Sequence, residues 1–545
     1  MKRIYRVLPS IAMSLLLCAA CNVPATSSPD TSSTQQTAQG SQGLQYSYNQ
    51  QTQSYAVSGI GTCTDKEIVI PATYNNLPVT AIAEGAFKNE KTVTPVRMAR
   101  PLSATTLYDE SINGAYDFES IVLPDSIEEI GSEAFMGCED LEEVTMSSLV
   151  NMIGTDAFKD TAFYNDPANW ENGVLYLEKH LIEAIDTFSG LLNIREGITH
   201  ITDGALTVCV GLTAVNFPAS IVSIGELAFK GCTSITEVDL AYPGIYVGRA
   251  AFMNCTALTS ITIADDSVAS TLPDADLQKL EKLGNILPEN EDIIATNFNI
   301  SFTSNYFTFD KENFVYSSII EDSAFAGCSA LTDISVGENL KYIGDFAFYE
   351  CTALTSVSLT NMTIAEYAKD PAVQRGKMKL GAPALNGVFG CCTSLESVEL
   401  PEGLTSLTAT FQDCTALKTI TLPSTVKKLN RTFNWCSALE NVTLPEGLER
   451  IAYDTFKGCI SLQSLTIPNS VTVIRDGALA GLPQTCTITL GKGITQIGEG
   501  VFEGDITLYY LGTAAEWNAI TLHENWVINN ENPPIIHCTD EVIGG

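Results

Sequence analysis

The residues with the greatest capacity for chemistry are cysteines that recur at one spacing. Nine times a Phe stands three residues before a Cys, as in Phe433 and Cys436, and a tenth Cys follows a Leu at the same spacing. Regularly spaced thiols could form a ladder of disulfides or metal ligands, or they could be small buried hydrophobes. The second interpretation is favoured, because Leu482 and Asp505 fill the same position in other copies. We therefore expect these thiols to be buried and reduced. The ten residues are Cys138, Cys209, Cys232, Cys255, Cys328, Cys351, Cys392, Cys414, Cys436 and Cys459.

Other reactive residues are sparse. The chain has four His, which lie far apart in sequence: His180, His200, His523 and His537. None of the G-x-S-x-G, H-E-x-x-H, G-x-G-x-x-G or Walker A motifs is present. We therefore predict that the chain is not an enzyme and has no catalytic residue, metal site or cofactor. The pairing state stays open for four further cysteines: Cys63, Cys391, Cys486 and Cys538.

One cysteine near the N-terminus has the context of a lipid acceptor. A basic start is followed by the apolar stretch 7–17 and then by Ala19-Ala20-Cys21. This apolar stretch is too short to span a bilayer and is typical of a signal peptide. We predict a signal peptide over 1–20 and lipidation of Cys21; ordinary secretion is the alternative. Residues 21–43 are rich in Ser, Thr and Gln and are predicted to form a disordered tether.

The elements that position the repeated Cys come from an internal repeat. Phe or Leu anchors recur every 22 or 23 residues over long stretches of the chain, and we count 14 copies. A period of this length is typical of stacked supersecondary units of the leucine-rich-repeat class. Because each unit contacts only its neighbours, the repeat predicts an elongated solenoid with one continuous apolar stripe.

The copy at 395–414 shows how one unit folds. Val398 and Leu400 alternate with polar residues as in a strand, and Pro401 ends that strand. Other copies contain an Ile-Gly pair, whose Gly is expected to permit a sharp bend. The following Ala-Phe segment is expected to form a short turn of helix or 3₁₀. The predicted fold is a β-rich α/β solenoid, a curved rod of about 14 rungs with a parallel sheet on one face.

Insertions interrupt the repeat near 94–117, 161–200, 265–317 and 361–386. Insertions in solenoids commonly project from one face, and they can bind partners or be neutral decoration. We expect the 265–317 insertion to contribute more binding affinity than an equal number of strand positions, because it contains clustered aromatic residues. A local core of that insertion is the alternative role for these aromatics. The candidate residues in it are Tyr306, Phe307 and Phe309.

Outward strand positions form the second candidate binding surface. They carry Ser, Thr and Asn with scattered acids and no aromatic residues, which suits a flat polar contact. The alternative is a solvated sheet, since Thr is also a good strand former. The candidate residues are Thr419, Thr421, Asn441, Thr443, Ser464 and Thr466.

The charge of the chain excludes one class of partner. Asp and Glu number 64 against 29 Lys and Arg, which gives a formal net charge of −35. Such a surface repels phosphate backbones and anionic lipids. We therefore predict no nucleic-acid partner and no membrane contact apart from a lipid anchor.

The repeated pattern L-x-x-[IV]-x-[IL]-P-x-x-[VL]-x-x-I-G-x-x-A-F-x-x-C closely resembles the BspA-like leucine-rich repeats of bacterial surface proteins. The match is nearly complete at 258–263, 331–351, 417–436 and 439–459, and the resemblance extends over roughly 43–540. The resemblance implies an N-terminal hairpin cap and attachment to host extracellular proteins, plasma proteins or other cells. It implies no catalytic residues.

These observations predict an organisation and a function. The solenoid is expected over 44–510 and a C-terminal capping segment over 511–545. The expected function is that of an exported, lipid-anchored protein of the bacterial cell surface, on the outer membrane or extracellular, that adheres to host extracellular or cell-surface proteins. The alternative is a surface lipoprotein that captures carbohydrates or nutrients. A structural spacer or decoy antigen is a third possibility.

Overall fold

The computed structural model describes residues 40–50, 52–89, 117–147, 149–240, 245–263, 318–337, 340–362 and 384–544. In these ranges the chain forms stacked rungs, and the strands of each rung pair mainly in parallel with those of the next. The parallel-sheet solenoid predicted from the repeat is therefore confirmed. The structure also shows a second column of parallel strands in addition to the expected one.

The first strand of each rung lies in one column, whose outward side is called here the strand face. This column contains β3 (Glu67–Val69), β6 (Ser120–Val122), β8 (Glu143–Thr145), β13 (Ser189–Asn193), β15 (Gly211–Asn216), β17 (Glu237–Leu240), β19 (Ser260–Ile263), β21 (Asp333–Val336), β23 (Ser356–Ser358), β25 (Ser397–Glu399), β27 (Thr419–Thr421), β29 (Asn441–Thr443), β31 (Ser464–Ile467), β33 (Thr487–Leu490), β36 (Thr507–Tyr510), β39 (Ile535–His537) and β40 (Val542–Ile543).

The second strand of each rung lies in the other column. It contains β1 (Gln45–Asn49), β2 (Ser54–Gly59), β5 (Leu77–Ile82), β7 (Glu129–Ile130), β9 (Met152–Ile153), β10 (Trp170–Glu171), β11 (Val174–Leu177), β12 (His180–Ala184), β14 (His200–Ile201), β16 (Ser223–Ile224), β18 (Tyr246–Val247), β20 (Ser318–Ile320), β22 (Leu340–Ile343), β24 (Ala384–Asn386), β26 (Ser406–Thr408), β28 (Lys428–Asn430), β30 (Arg450–Ile451), β32 (Val473–Ile474), β34 (Gln496–Ile497) and β37 (Thr521–Leu522). Three short strands complete the set: β4 (Thr73–Tyr74), β35 (Phe502–Glu503) and β38 (Val527–Ile528).

The rung that contains β27 and β28 shows how the alternation of residue types determines which side chains are buried. The strand alternates, so Ile420 points into the core while its Thr neighbours face solvent. Leu429 of β28 is fully buried from the other side of the rung, and Phe433 follows in the turn. A single rung cannot enclose these side chains, so its stability depends on the rungs above and below it.

The repeated Phe side chains form two stacks in the interior. From Phe229 to Phe456, eight successive rings stack with centroid separations of 4.9–6.0 Å and interplanar angles of at most 21°. A shorter stack joins Phe87, Phe135 and Phe158 at 5.2 and 5.4 Å. These separations are close to the distance between paired strands, so in-register stacking of rungs also sets the ring spacing.

The repeated Cys are buried beside the Phe stack and bridge neighbouring rungs. The Cys436 thiol donates a hydrogen bond to the carbonyl oxygen of Phe411, one rung earlier, at 3.0 Å. Nine of the thiols make the corresponding bond to a Phe or Leu carbonyl at 3.0–3.4 Å. Burial raises the pKa of Cys328 and Cys392 to about 12, so these thiols stay protonated and can donate. The position therefore provides a weak donor as well as a small apolar volume.

The glycine of the Ile-Gly pair has a different role from the expected one. Gly131, Gly154 and Gly344 do not adopt positive φ, so they do not form the bend. A Cβ on any of the three would lie 2.4 Å from a backbone nitrogen of the preceding rung. The expectation of a bend at this position is therefore wrong: Gly is needed because two backbones approach closely there.

The bend lies at two other positions, which flank the repeated Phe by two residues on either side. Arg431 and Trp435 flank Phe433 with φ of 50° and 61°, and Val208 adopts φ of 62° in an earlier rung. Because the backbone is in the left-handed conformation on both sides of the Phe, consecutive right-handed residues cannot follow one another there. The Ala-Phe segment therefore forms a turn and not the expected helix or 3₁₀ segment. In the described ranges, helix occurs only in α1 (Ala162–Asn165), a 3₁₀ segment (Pro167–Asn169) and α2 (Ala514–Trp517).

The insertion at 161–200 is built into the solenoid and does not simply project from it. Its antiparallel strands β10, β11 and β12 extend the second column, and β12 pairs in parallel with β14. Alternate residues of this hairpin belong to two separate hydrophobic cores: Leu175 packs in the N-terminal core and Val174 in the C-terminal core. The hairpin therefore joins two cores that do not merge into one.

The described chain contains no helix that is both long and apolar enough to cross a membrane.

Candidate functional site

Four of the predicted strand-face residues line one open groove. The groove has a volume of about 570 Å³ and crosses β25, β27 and β29. Its lining residues are Thr360, Ser397, Val398, Glu399, Leu400, Glu402, Thr419, Ile420, Thr421, Leu422, Pro423, Asn441, Val442 and Thr443. The structure therefore brings Thr419, Thr421, Asn441 and Thr443 together on one concave surface.

Strand register places these side chains side by side. Thr419 pairs with Asn441 and Thr421 with Thr443, and all four side chains are exposed. Ile420 is buried beneath them, whereas Val442 is half-buried and offers some apolar area to the groove. The surface therefore combines hydroxyl and amide groups with a small apolar floor.

The charge of the groove comes from two carboxylates. Glu399 accepts a hydrogen bond from the Ser358 hydroxyl at 2.6 Å, and Glu402 accepts one from the Ser424 hydroxyl at 3.1 Å. No Lys or Arg is among the described residues that line the groove. The groove is therefore acidic, and a cationic or neutral polar group suits it better than an anion.

The sequence-based set of candidates omitted part of this surface. Glu402 lies in the turn after a strand, outside the alternation that identified the other residues, so no sequence signal marked it. Thr360 reaches the groove from the neighbouring rung across the 361–386 insertion. The strand alternation does identify Glu399 as outward-facing, at the same repeat position as Thr421, although it is not among the six candidates.

Other predicted candidates lie elsewhere. Ser464 and Thr466 are exposed on β31, beside β29, but they do not line the groove. Cys21 and the aromatic residues Tyr306, Phe307 and Phe309 lie outside the described residues.

Two of the four histidines, far apart in sequence, meet in the structure. His180 and His200 occupy paired positions on β12 and β14, and their rings stack at 5.0 Å. His180 is fully buried and His200 is half-buried, at the hairpin that joins the two cores. Burial lowers the pKa of His180 to about 4. Burial, followed by repulsion from His180, lowers the pKa of His200 to about 3. The pair is therefore a packing element that favours neutral rings.

We expect the histidine pair to make folding sensitive to acid. Both folded-state pKa values lie below the ordinary value of 6.5, so the unfolded chain binds more protons between pH 6.5 and about 4. Relative to an H180F variant, the wild type should lose on the order of 2 kcal/mol of unfolding free energy over that interval. Denaturant titrations at several pH values measure this difference. H523Q, at an exposed position, is the control and should keep the wild-type slope; an H180F slope equal to wild type would contradict the prediction.

Within the described ranges, no group of three or more His, Cys, Asp or Glu residues is arranged to hold a metal ion.

Comparisons with known proteins place the repeat in a family. A family model described as "BspA type Leucine rich repeat region (6 copies)" matches residues 61–179, 190–297, 298–369 and 385–509. No curated relative matches the chain.

Solved structures of bacterial repeat proteins are similar to parts or most of the chain. A leucine-rich repeat protein from Bacteroides ovatus is 19% identical and aligns over 91% of this chain and 98% of its own, with a TM-score of 0.41. A leucine rich cell surface protein from Faecalibacterium prausnitzii is 24% identical over 74% of this chain and 93% of its own, with a TM-score of 0.27. These scores are too low to support an argument about function. The family model, in contrast, spans most of the chain and agrees with the observed rungs, and the chain therefore belongs to the BspA-type leucine-rich repeat family.

Proposed function

We propose that this chain is an exported, lipid-anchored protein of the bacterial cell surface and that its solenoid adheres to host extracellular or cell-surface proteins. The observation that carries the binding proposal is the acidic, hydroxyl-lined groove across β25, β27 and β29. Three consecutive rungs place short polar side chains at strand spacing, so an extended polar segment of a partner can contact several of them at once. The acidic lining favours partner segments that contain Lys or Arg.

Location at the cell surface is supported by the N-terminal segment. The chain begins with a basic and apolar segment that ends at Ala19-Ala20-Cys21. In this proposal, Cys21 provides the only membrane contact, through its lipid.

The groove proposal predicts a loss of binding from a strand-face variant. A chain with T419K, T421K, N441K and T443K should bind at least tenfold more weakly, because four cations fill the groove and repel a basic partner. The measurement is binding to an array of host extracellular-matrix and plasma proteins. The matched control is S464K with T466K, on the neighbouring strand outside the groove, which should change affinity less than twofold. Equal losses in both variants would contradict a site in the groove.

The same array measures the expectation about the 265–317 insertion. A chain in which a short Gly/Ser loop replaces 265–317 is expected to lose more affinity than the strand-face variant. Normal binding by the loop variant, together with weak binding by the strand-face variant, would place the site on the sheet alone.

A carbohydrate ligand is the second candidate, because hydroxyl, amide and carboxylate groups line the same groove. A glycan array separates the two functions. Binding to a defined glycan that is abolished by the four Lys substitutions, without binding to any protein on the first array, would favour carbohydrate capture.

The lipid anchor has its own prediction. C21A should release the protein from the membrane fraction or stall removal of residues 1–20, because the thiol that accepts the lipid is lost. Fractionation and intact-mass measurement check this. A C21A protein that is processed normally and stays in the membrane fraction would exclude Cys21 as the anchor.

A further inference from the structure

The N-terminal end of the solenoid exposes an edge strand of unusual composition. In the described chain, β1 lies at the end of its sheet and pairs only with β2, so the opposite edge of β1 has no strand beside it. Four of its five residues, Gln45 and Ser47 among them, are exposed. Native proteins commonly protect such an edge with Lys, with Pro or with a covering segment, because unpaired backbone groups invite a second strand.

This edge carries no charge, although the chain as a whole is strongly acidic. No Asp, Glu, Lys, Arg or His occurs from 31 to 64, and none occurs in the turn between β4 and β5. In a chain with a formal charge of −35, most surfaces repel another copy of the same chain. The hairpin of β1 and β2 contributes no charge to that repulsion.

Clustered tyrosines add contact area beside the edge. Tyr46 and Tyr74 stack with ring centroids 3.9 Å apart, and Tyr55 contacts both rings edge-on. Tyr48 packs against Tyr55 at 5.3 Å and remains 48% exposed, while Tyr74 remains 38% exposed. Aromatic rings held by one another lose little conformational freedom on binding and can supply both apolar area and hydroxyl groups.

The C-terminal end of the solenoid has a short and acidic edge. The last strand, β40, is two residues long and follows Asp540 and Glu541, both exposed. Two copies meeting there would place like charges together, and a short edge offers few backbone bonds. Of these two described ends, the N-terminal edge is therefore the one that suits association of two identical chains.

We propose that two copies of this chain associate through β1, as antiparallel edge strands related by a two-fold axis near Ser47. The pairing continues each six-stranded sheet across the axis and brings the two tyrosine clusters beside the joint. The symmetric contact closes on itself and does not extend into a fibre. Because five-residue strands bury little area, the expected affinity is weak, in the micromolar range. This inference does not depend on the groove or on the identity of its partner.

The test uses two differently tagged full-length chains expressed in the same cells. Two wild-type copies should co-purify. Two S47K copies, or two S47E copies, should co-purify at least tenfold less, because like charges repel each other across the axis. Mixing S47K with S47E should restore co-purification, which shows that neither substitution acts by unfolding the hairpin. T52K, in the turn beyond β1, is the control and should co-purify as wild type does.

Cross-linking on intact cells tests the register. S47C should form a disulfide-linked species of twice the mass of the processed chain under mild oxidation, at least tenfold more than E524C at an exposed position far away in sequence. The proposal is overturned if wild-type copies do not co-purify, if the S47K pair co-purifies as well as wild type, or if S47C cross-links no more than E524C. Capture of a different protein through this edge, without a second copy, would also overturn it.

Discussion

Replacing Phe433 with Ala should lower the free energy of unfolding by about 3–5 kcal/mol. The ring is fully buried and stacks between Phe411 and Phe456 at 5.8 and 5.4 Å. Its removal leaves a cavity that the neighbouring rungs cannot fill, because their strands are held in register by the ladder on both sides. The loss should be large even though Phe433 does not line the groove.

Two controls separate cavity formation from a general effect of aromatic removal. W435A changes an aromatic residue that is two positions away but 50% exposed, and it should cost less than about 1 kcal/mol. F433L keeps most of the apolar volume and should cost less than F433A. Urea unfolding followed by circular dichroism measures all three variants. An F433A loss no larger than that of W435A would show that the Phe stack does not stabilise the solenoid.

Replacing Cys436 with Asp should be comparably damaging, at about 3–5 kcal/mol. The side chain is fully buried, and its thiol donates to the Phe411 carbonyl oxygen. An ionised carboxylate cannot donate, so it would face that oxygen without solvent or a counter-charge. The deficit relative to wild type should shrink as the pH falls toward 4, because the buried carboxyl has a raised pKa and becomes neutral.

Milder substitutions at the same position test the role of the thiol hydrogen bond. C436S keeps a donor of similar size, whereas C436A removes the donor and leaves the carbonyl with one partner fewer. We expect each to cost about 1–2 kcal/mol, well below C436D. A C436D protein as stable as C436A at neutral pH would contradict the burial of this position.

The repeat made much of this architecture predictable. Each copy samples the same environment, so the alternation at Ile420 and the recurrence of Phe433 and Cys436 identify one buried stripe and one solvent face. The same alternation identified Thr419 and Asn441 as neighbours on that face. The prediction succeeds because these properties depend on local periodicity, and a solenoid converts local periodicity directly into three-dimensional proximity.

Contacts between rungs depend on details that periodicity does not contain. The need for Gly344 arises from the 2.4 Å approach of its Cβ position to the backbone of the preceding rung. The left-handed turn at Trp435 replaced an expected helix, although nothing in the residue type favours that conformation. The contributions of Glu402 and Thr360 to the groove depend on how turns from different rungs align.

The amino-acid sequence by itself determined the rung, its period and the residues that face inward, because each depends on spacing along one copy. Only the tertiary structure decided which side chains from different rungs meet: the His180–His200 pair, the thiol-to-carbonyl bonds and the acidic groove. The physical reason is that these contacts span 20 residues or more along the chain but only one rung spacing in space. Their geometry is set by strand register and by the insertions between copies, which the repeat pattern does not encode.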